Sequence, residues 1–192
     1  MKKLLITGFD PFGGERINPS WEAVRRLPDR VGNYVLCKLQ IPTIFGAAAE
    51  AVLSAAEDLR PDVILCVGQA GGRSAVTPER IAVNIRDARI PDNAGNCPCG
   101  ERITADGPAA YFSTLDPAGM RDAILAAGIE ATVSNSAGAF VCNDTLYSLL
   151  HRFDSTPVRV GFVHIPYLPE QGSPSLPLDD AIAALAAAIS AI

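Results

Sequence analysis

Two histidines and five cysteines leave few ways to pair a nucleophile with a base. The cysteines are Cys37, Cys66, Cys97, Cys99 and Cys142. Cys142 stands near the start of the apolar-periodic run Val141 to Phe153, just after a stretch of small residues around Gly138. A thiol at a helix N-terminus meets unpaired N–H groups and the positive end of the dipole, which favour thiolate. The same N–H groups can hold a developing oxyanion. His151 lies further along that run, about 13 Å away at ~1.5 Å rise per residue, beyond hydrogen-bond reach. A Cys142 nucleophile therefore needs His164, which ends the run Val158 to Val163. The chemistry would be thiolate attack on an amide, with the imidazole moving protons.

Plainer roles compete. A free cysteine is most often a small buried hydrophobe, and Cys37 and Cys66, inside apolar strands, suit that role better than Cys142. Histidine at a strand end can be purely structural. A third group should orient the imidazole, and spacing leaves Glu79, Asp87, Asp92 and Asp10 open. Asp144, one turn into the helix, suits the dipole but opposes a neighbouring thiolate, so it is expected to point away.

Other motifs fail. Gly13-Gly14 and Gly68-Gln69-Ala70-Gly71-Gly72 are not G-x-G-x-x-G, and no Lys-Ser pair follows. Their glycines read as permitting tight βα turns. Cys97-Pro98-Cys99 offers two thiols where zinc needs about four ligands, so no metal site is expected.

These residues need elements to position them. Strand-like runs are Lys3–Thr7, Tyr34–Ile41, Val63–Gly68, Arg80–Ile85, Glu130–Ser134 and Val158–His164. Helix-like runs are Pro19–Leu27, Phe45–Leu59, Pro117–Ala127, Val141–Phe153 and Leu178–Ile192. Their alternation predicts an α/β fold, a three-layer α/β/α open twisted sheet, mostly parallel, with helices on both faces. The Arg80 strand follows Val63–Gly68 with no helix between, so part of the sheet should be antiparallel. Asn18-Pro19 and Asp116-Pro117 are helix starts, and Gly128 is a helix stop. The aperiodic segment Asp87 to Ala110 reads as a long loop of the kind that often carries function. Ligands of open α/β sheets bind beyond the carboxyl ends of the strands. Those ends hold Phe9, Gln69, Ser134 and His164.

The chain has 192 residues, which suits one domain, 1–192. A net charge of −5 argues against a nucleic-acid partner. No apolar run reaches the ~18 residues of a membrane span, and Leu4–Thr7 is too short for a signal segment. An odd cysteine count fits reduced thiols in a cytoplasmic protein.

The motif residues resemble one family. Gly8-Phe9-Asp10-Pro11-Phe12-Gly13-Gly14 with Asn18-Pro19-Ser20 is similar to the N-terminus of the pyroglutamyl-peptidase I (pyrrolidone-carboxylate peptidase) family of cysteine peptidases. So are Gly68 to Arg73, Pro78 to Asn84, Asp87 to Asn93, Ala137 to Asn143 and His164 to Gln171, in family order along nearly the whole chain. The resemblance implies removal of N-terminal pyroglutamate from peptides through a thioester. It implies Cys142 as nucleophile, His164 as general base and acid, and Glu79 as the orienting carboxylate. It also implies Phe9, Phe12 and Phe140 against the lactam ring, and Asn18 and Gln69 bonding it or holding loops (Asn18 equally as a helix cap). Arg89 would stand near the oxyanion. No metal or organic cofactor is implied, and assembly as a homo-oligomer, tetramer or dimer, is. Asp144 departs from the family, whose members often carry histidine there, and the Cys97-Pro98-Cys99 loop looks peculiar to this chain. Rival expectations are a cysteine amidohydrolase for another small amide, and a thiol redox sensor built on Cys97 and Cys99.

Overall fold

The structure is a computed structural model describing residues 1–192. Period-two alternation assigns the layers. In β1 (Lys2–Phe9), Leu4 and Ile6 face one side of the sheet while Leu5 and Phe9 face the other. In β4 (Val63–Gln69), Val63, Leu65 and Val67 oppose Ile64 and Cys66 in the same way. In β8 (Arg159–Ile165), Val163 and Ile165 oppose Val160 and Phe162. Strands buried on both faces are near-continuous apolar runs, which is why the sequence shows them so clearly. Helices α1 (Pro19–Val24), α3 (Pro117–Ala126) and α5 (Leu178–Ser190) cover the first side. Helices α2 (Ala47–Leu59) and α4 (Val141–Arg152) cover the second. The fold is the expected three-layer α/β/α arrangement.

With β2 (Arg30–Val31), β3 (Tyr34–Ile41) and β5 (Thr77–Pro78), the main sheet runs β2-β3-β1-β4-β8-β5. Pairs β1/β3, β1/β4 and β4/β8 are parallel, whereas β2/β3 and β5/β8 are antiparallel. No helix is long and apolar enough to cross a membrane.

Two expected strands differ. Arg80–Ile85 does not join the main sheet: β6 (Ile81–Val83) pairs with β7 (Ala110–Phe112) in a separate two-stranded sheet. The antiparallel edge is instead the short β5 just before it. Glu130–Ser134 forms only isolated parallel bridges, Val76 to Ala131 and Glu79 to Ser134. Its hydrogen bonds follow a parallel ladder, with Val76 N donating to Glu130 O, Thr132 N to Val76 O, and Ser134 N to Pro78 O. Pro78 has no N–H to return, so the ladder is interrupted at its middle.

Helix ends follow the local chemistry. Asn18 accepts from Ser20 N at 3.1 Å, and Asp116 accepts from Ala118 N at 3.0 Å, each with proline next in line. Such caps stabilise a helix by about 1 kcal/mol. Gly46 takes a φ of 74° ahead of α2, which starts two residues later than the periodicity suggests. The 87–110 loop is tied down at several points: Asp87 N donates to Ala139 O, and Asn93 N to Thr43 O. Asp92 accepts from Phe45 N, Ala94 N and Asn96 N.

Helix α1 lies hard on β1 at Gly8, where an added Cβ would come 2.6 Å from the Trp21 backbone. Backbone cannot yield as a side chain can. Gly8→Ala is expected to destabilise the fold by about 3 kcal/mol or more, read from the midpoint of urea unfolding.

Candidate active site

Alternation also selects the face on which the chemistry lies. His164 follows Phe162 by two residues, so its side chain shares the α4 face of β8. Gly68 is its register partner on β4, on the same face. Thr77 of β5 pairs opposite His164, and the next residue on that face, Glu79, donates its N–H to Phe162 O at 2.9 Å. That diagonal brings Glu79 Oε1 to 2.8 Å from His164 Nδ1. A carboxylate only accepts, so Nδ1 carries a proton and Nε2 faces away from Glu79. Both residues are buried, Glu79 with 0% exposure. Burial pushes the Glu79 carboxyl up, but the hydrogen bond and charge of His164, with Ser134 and Arg73 beside it, hold it below its ordinary value. Arg73 Nη1 donates to the same Oε1 at 2.8 Å.

Cys142 arrives from the opposite layer. A Cβ added to Gly68 would lie 2.9 Å from Cys142 Sγ and 2.8 Å from the Phe162 ring. The sulfur therefore sits over the Gly68–His164 pair, on the imidazole's face of the sheet, with the Phe162 and His164 rings 4.7 Å apart. No side chain caps α4, so its first-turn N–H groups are free of intrahelical partners. Two neighbours lock the helix start. Asn143 Oδ1 accepts from Val83 N at 2.9 Å, and its Nδ2 donates to Val83 O and Ile85 O. Asp144 turns away from the thiol, accepting from Gly46 N at 2.8 Å and Arg86 Nε at 2.7 Å.

Cys142 keeps partial exposure, yet its thiol is enclosed. Burial, then the charges of Glu79 and Cys66, push it up to about 12, against a smaller opposing effect of Arg73. No hydrogen bond joins Sγ to His164. Desolvation thus works against the helix dipole that the sequence reading invoked for this sulfur.

The other expected site residues separate. Phe9 is core, 2% exposed at the end of β1 and packed on Phe162, not part of a loop. Phe12 and Phe140 do meet, with centroids 5.9 Å apart, and both are half-buried. Asn18 is fully engaged as a cap and donates to Asp10 O at 2.9 Å. Gln69 alternates onto the α1 side, where Gln171 Nε2 donates to its Oε1 at 3.1 Å. Both hold loops rather than face Cys142. Arg89 is exposed and makes no hydrogen bond or ion pair. Of the four candidate orienters only Glu79 meets His164; Asp10 accepts from Thr43 N at 2.6 Å, Asp92 pins its own loop, and the Asp87 side chain is outside these networks. The largest cavity, about 610 Å³, lies at the amino ends of the strands beside Lys2, Tyr34 and Ile192. That cavity therefore does not mark this site; side-chain chemistry does.

The family model described as "Pyroglutamyl peptidase" matches residues 2–192. The chain belongs to the pyroglutamyl peptidase family. It is thus an enzyme, a cysteine hydrolase of the pyroglutamyl-peptidase I type. It is 54% identical over 197 residues to the pyrrolidone-carboxylate peptidase of Levilactobacillus brevis, covering 99% of this chain and 97% of the relative. The crystal structure of Bacillus amyloliquefaciens pyroglutamyl peptidase I superposes with a TM-score of 0.95 at 47% identity, covering 99% of this chain and 96% of that one. Pyrrolidone carboxyl peptidase from Thermococcus litoralis gives 0.94 at 36% identity, covering 100% and 93%.

Within this member of the pyroglutamyl peptidase family, three residues escaped sequence reasoning. Phe45 packs edge-on against Phe140 at 5.2 Å, although it read only as a helix start. Gly68 read as a strand end and a turn glycine, but its bareness makes room for the sulfur. Arg73 sat inside a quoted motif without a role.

The raised Cys142 thiol has a visible consequence. The ultraviolet difference between wild type and Cys142→Ala is expected to show no thiolate absorbance from about pH 4 to about pH 9. Thiolate absorbance already present at about pH 6 would reveal a resting thiolate–imidazolium pair.

Proposed function

We propose that the chain is an exopeptidase that hydrolyses the amide bond after an N-terminal pyroglutamyl residue, with Cys142 as nucleophile, His164 as base and acid, and Glu79 as orienter. The observation that carries this reading is the buried Glu79–His164 contact at 2.8 Å beneath the Cys142 sulfur. The pyrrolidone-carboxylate and pyroglutamyl peptidases it resembles supply the substrate class. One catalytic domain, residues 1–192, carries it.

Nε2 of His164 takes the Cys142 proton as sulfur attacks the carbonyl carbon. The carbonyl electron pair moves onto oxygen, and the free N–H groups opening α4 stabilise it; one good donor is worth about 3 kcal/mol of barrier. The imidazolium then protonates the leaving amine, the C–N bond breaks, and a thioester remains. Water, deprotonated by Nε2, releases pyroglutamate and restores the thiol. The lactam is uncharged and flat, and the half-buried rings of Phe12, Phe140 and Phe45 offer it apolar walls. Because Cys142 must stay a thiol, the reading goes with a reducing compartment, the cytoplasm. It also goes with a homotetramer or dimer, for which exposed Ile90, Phe112 and Leu125 offer apolar contact surface.

With a pyroglutamyl-coumarin amide as substrate, Cys142→Ala is expected to lose all turnover while keeping its circular dichroism and melting temperature. Residual turnover would remove Cys142 from the mechanism. Glu79→Gln is expected to lower kcat at least about a hundredfold, because the amide no longer fixes the imidazole. Wild-type kcat in that variant would assign the orienting role elsewhere. A prolyl amide, lacking the ring carbonyl, should be cleaved at least about a hundredfold more slowly than the pyroglutamyl one.

A further inference from the structure

Glu79 uses its two oxygens unequally. Oε1 accepts from His164 Nδ1 and from Arg73 Nη1, both at 2.8 Å. Oε2 is buried and accepts nothing. Arg73 is held from three sides: Nη1 also donates to Thr77 Oγ1 at 2.6 Å, and Nη2 donates to Ser136 O at 3.2 Å. Its outer edge opens onto a polar cleft of about 560 Å³ lined by Gly72, Thr77, Ser134 and Ser136 among others. The other groups around Glu79 offer no second cation. Ser134, from the neighbouring edge segment, donates its hydroxyl to Ser136 O. Cys142, from α4, cannot carry positive charge. Arg80, next in the chain, turns outward to Asn135 Oδ1 at 3.0 Å.

A buried carboxylate with imidazole as its one charged partner favours the ion pair, in which the ring is protonated at both nitrogens. An imidazolium cannot take the thiol proton. A permanent cation on the same oxygen weakens that drive without removing the hydrogen bond that orients the ring. From this shared oxygen we infer that Arg73 is a positioning residue for the reaction. It divides the charge of Glu79 Oε1, so that the carboxylate aims His164 without locking it as imidazolium. Thr77 aims Arg73 in turn. The inference rests on the Cys142–His164–Glu79 reading above.

The test is the pH dependence of kcat/KM on a pyroglutamyl-coumarin amide, with Cys142→Ala run in parallel. Arg73→Gln is expected to move the acid limb upward by about one pH unit, with KM within about twofold of wild type. Arg73→Lys, which keeps the charge, is expected to return the limb to near the wild-type position. Thr77→Val, close in shape but without the hydroxyl, should move it the same way by less. An unmoved limb in Arg73→Gln overturns the proposal even if the rate falls, since lost packing lowers the plateau without shifting the limb. Should Arg73→Gln fail to fold, an unmoved limb in Thr77→Val overturns it. Activity surviving in Cys142→Ala would instead sink the underlying mechanism, a distinct outcome.

Discussion

A carboxylate with no exposed surface destabilises a fold unless donors surround it, and Glu79 is placed where two donors, the Arg73 guanidinium and the His164 ring N–H, reach one of its oxygens. Much of the local architecture follows from that requirement. The chain leaving β4 at Gln69 must reverse and run back along β8, which it does through Gly71 and Gly72. Gly72 takes a φ of 85°, and at Gly71 an added Cβ would come 2.2 Å from the Tyr167 ring. The reversal makes β5 antiparallel, so Glu79 lands diagonal to His164 on the buried face. A parallel strand would have needed a crossover helix, and residues 70–76 are too few for one.

The sulfur depends on a second constraint, the bareness of Gly68. Helices and sheets packed face to face through ordinary side chains, each on its own kind, stand about 10 Å apart. Here α4 drops its first turn onto the sheet because one strand position has no Cβ. The residues after Cys142 hold that approach. Asn143 stitches the helix start to β6, and Asp144 ties it to the start of α2 through Gly46 and to Arg86. The acidic residue that looked awkward beside a thiolate is thus a strut, buried and satisfied, and its charge is partnered by Arg86. Arg86 lies 6.0 Å from the Phe45 centroid, so the strut also borders the aromatic wall of Phe45 and Phe140.

Much of this was legible in the residues alone. Strands buried on both faces appear as apolar runs, so β1, β4 and β8 were found within one or two residues, and the half-buried β3 was found despite Lys38 and Gln40. With two histidines, helix geometry alone excluded His151, which indeed turns to Tyr111 at 2.8 Å. What stayed hidden depends on long-range contact. Nothing local distinguishes a glycine kept bare for a sulfur from one that makes a turn. Phe9 sits between glycine and aspartate, a loop-like neighbourhood, yet the strand runs on to bury it. Asn18 and Gln69 carry amides suited to a ligand, but alternation and capping consume them. Glu130–Ser134 has strand composition and near-strand hydrogen bonds, and one imino acid on its neighbour denies it the name.

The state of the sulfur follows from competition between these constraints. A helix N-terminus supplies about half a positive charge, and its effect fades within a turn. Enclosure between the sheet, Phe162 and Cys66 removes water from an atom that would have to carry a full negative charge. Glu79 adds repulsion from below. The packing that brings the sulfur to the imidazole is therefore the same packing that makes a thiolate costly. Proton transfer to Nε2 during attack avoids that cost, because the charge leaving sulfur passes to an oxygen facing the free N–H groups of α4. Seen this way, the helix start serves the developing oxyanion more than the resting thiol. The charge on Glu79 has to be strong enough to hold the ring in place and weak enough to leave Nε2 free.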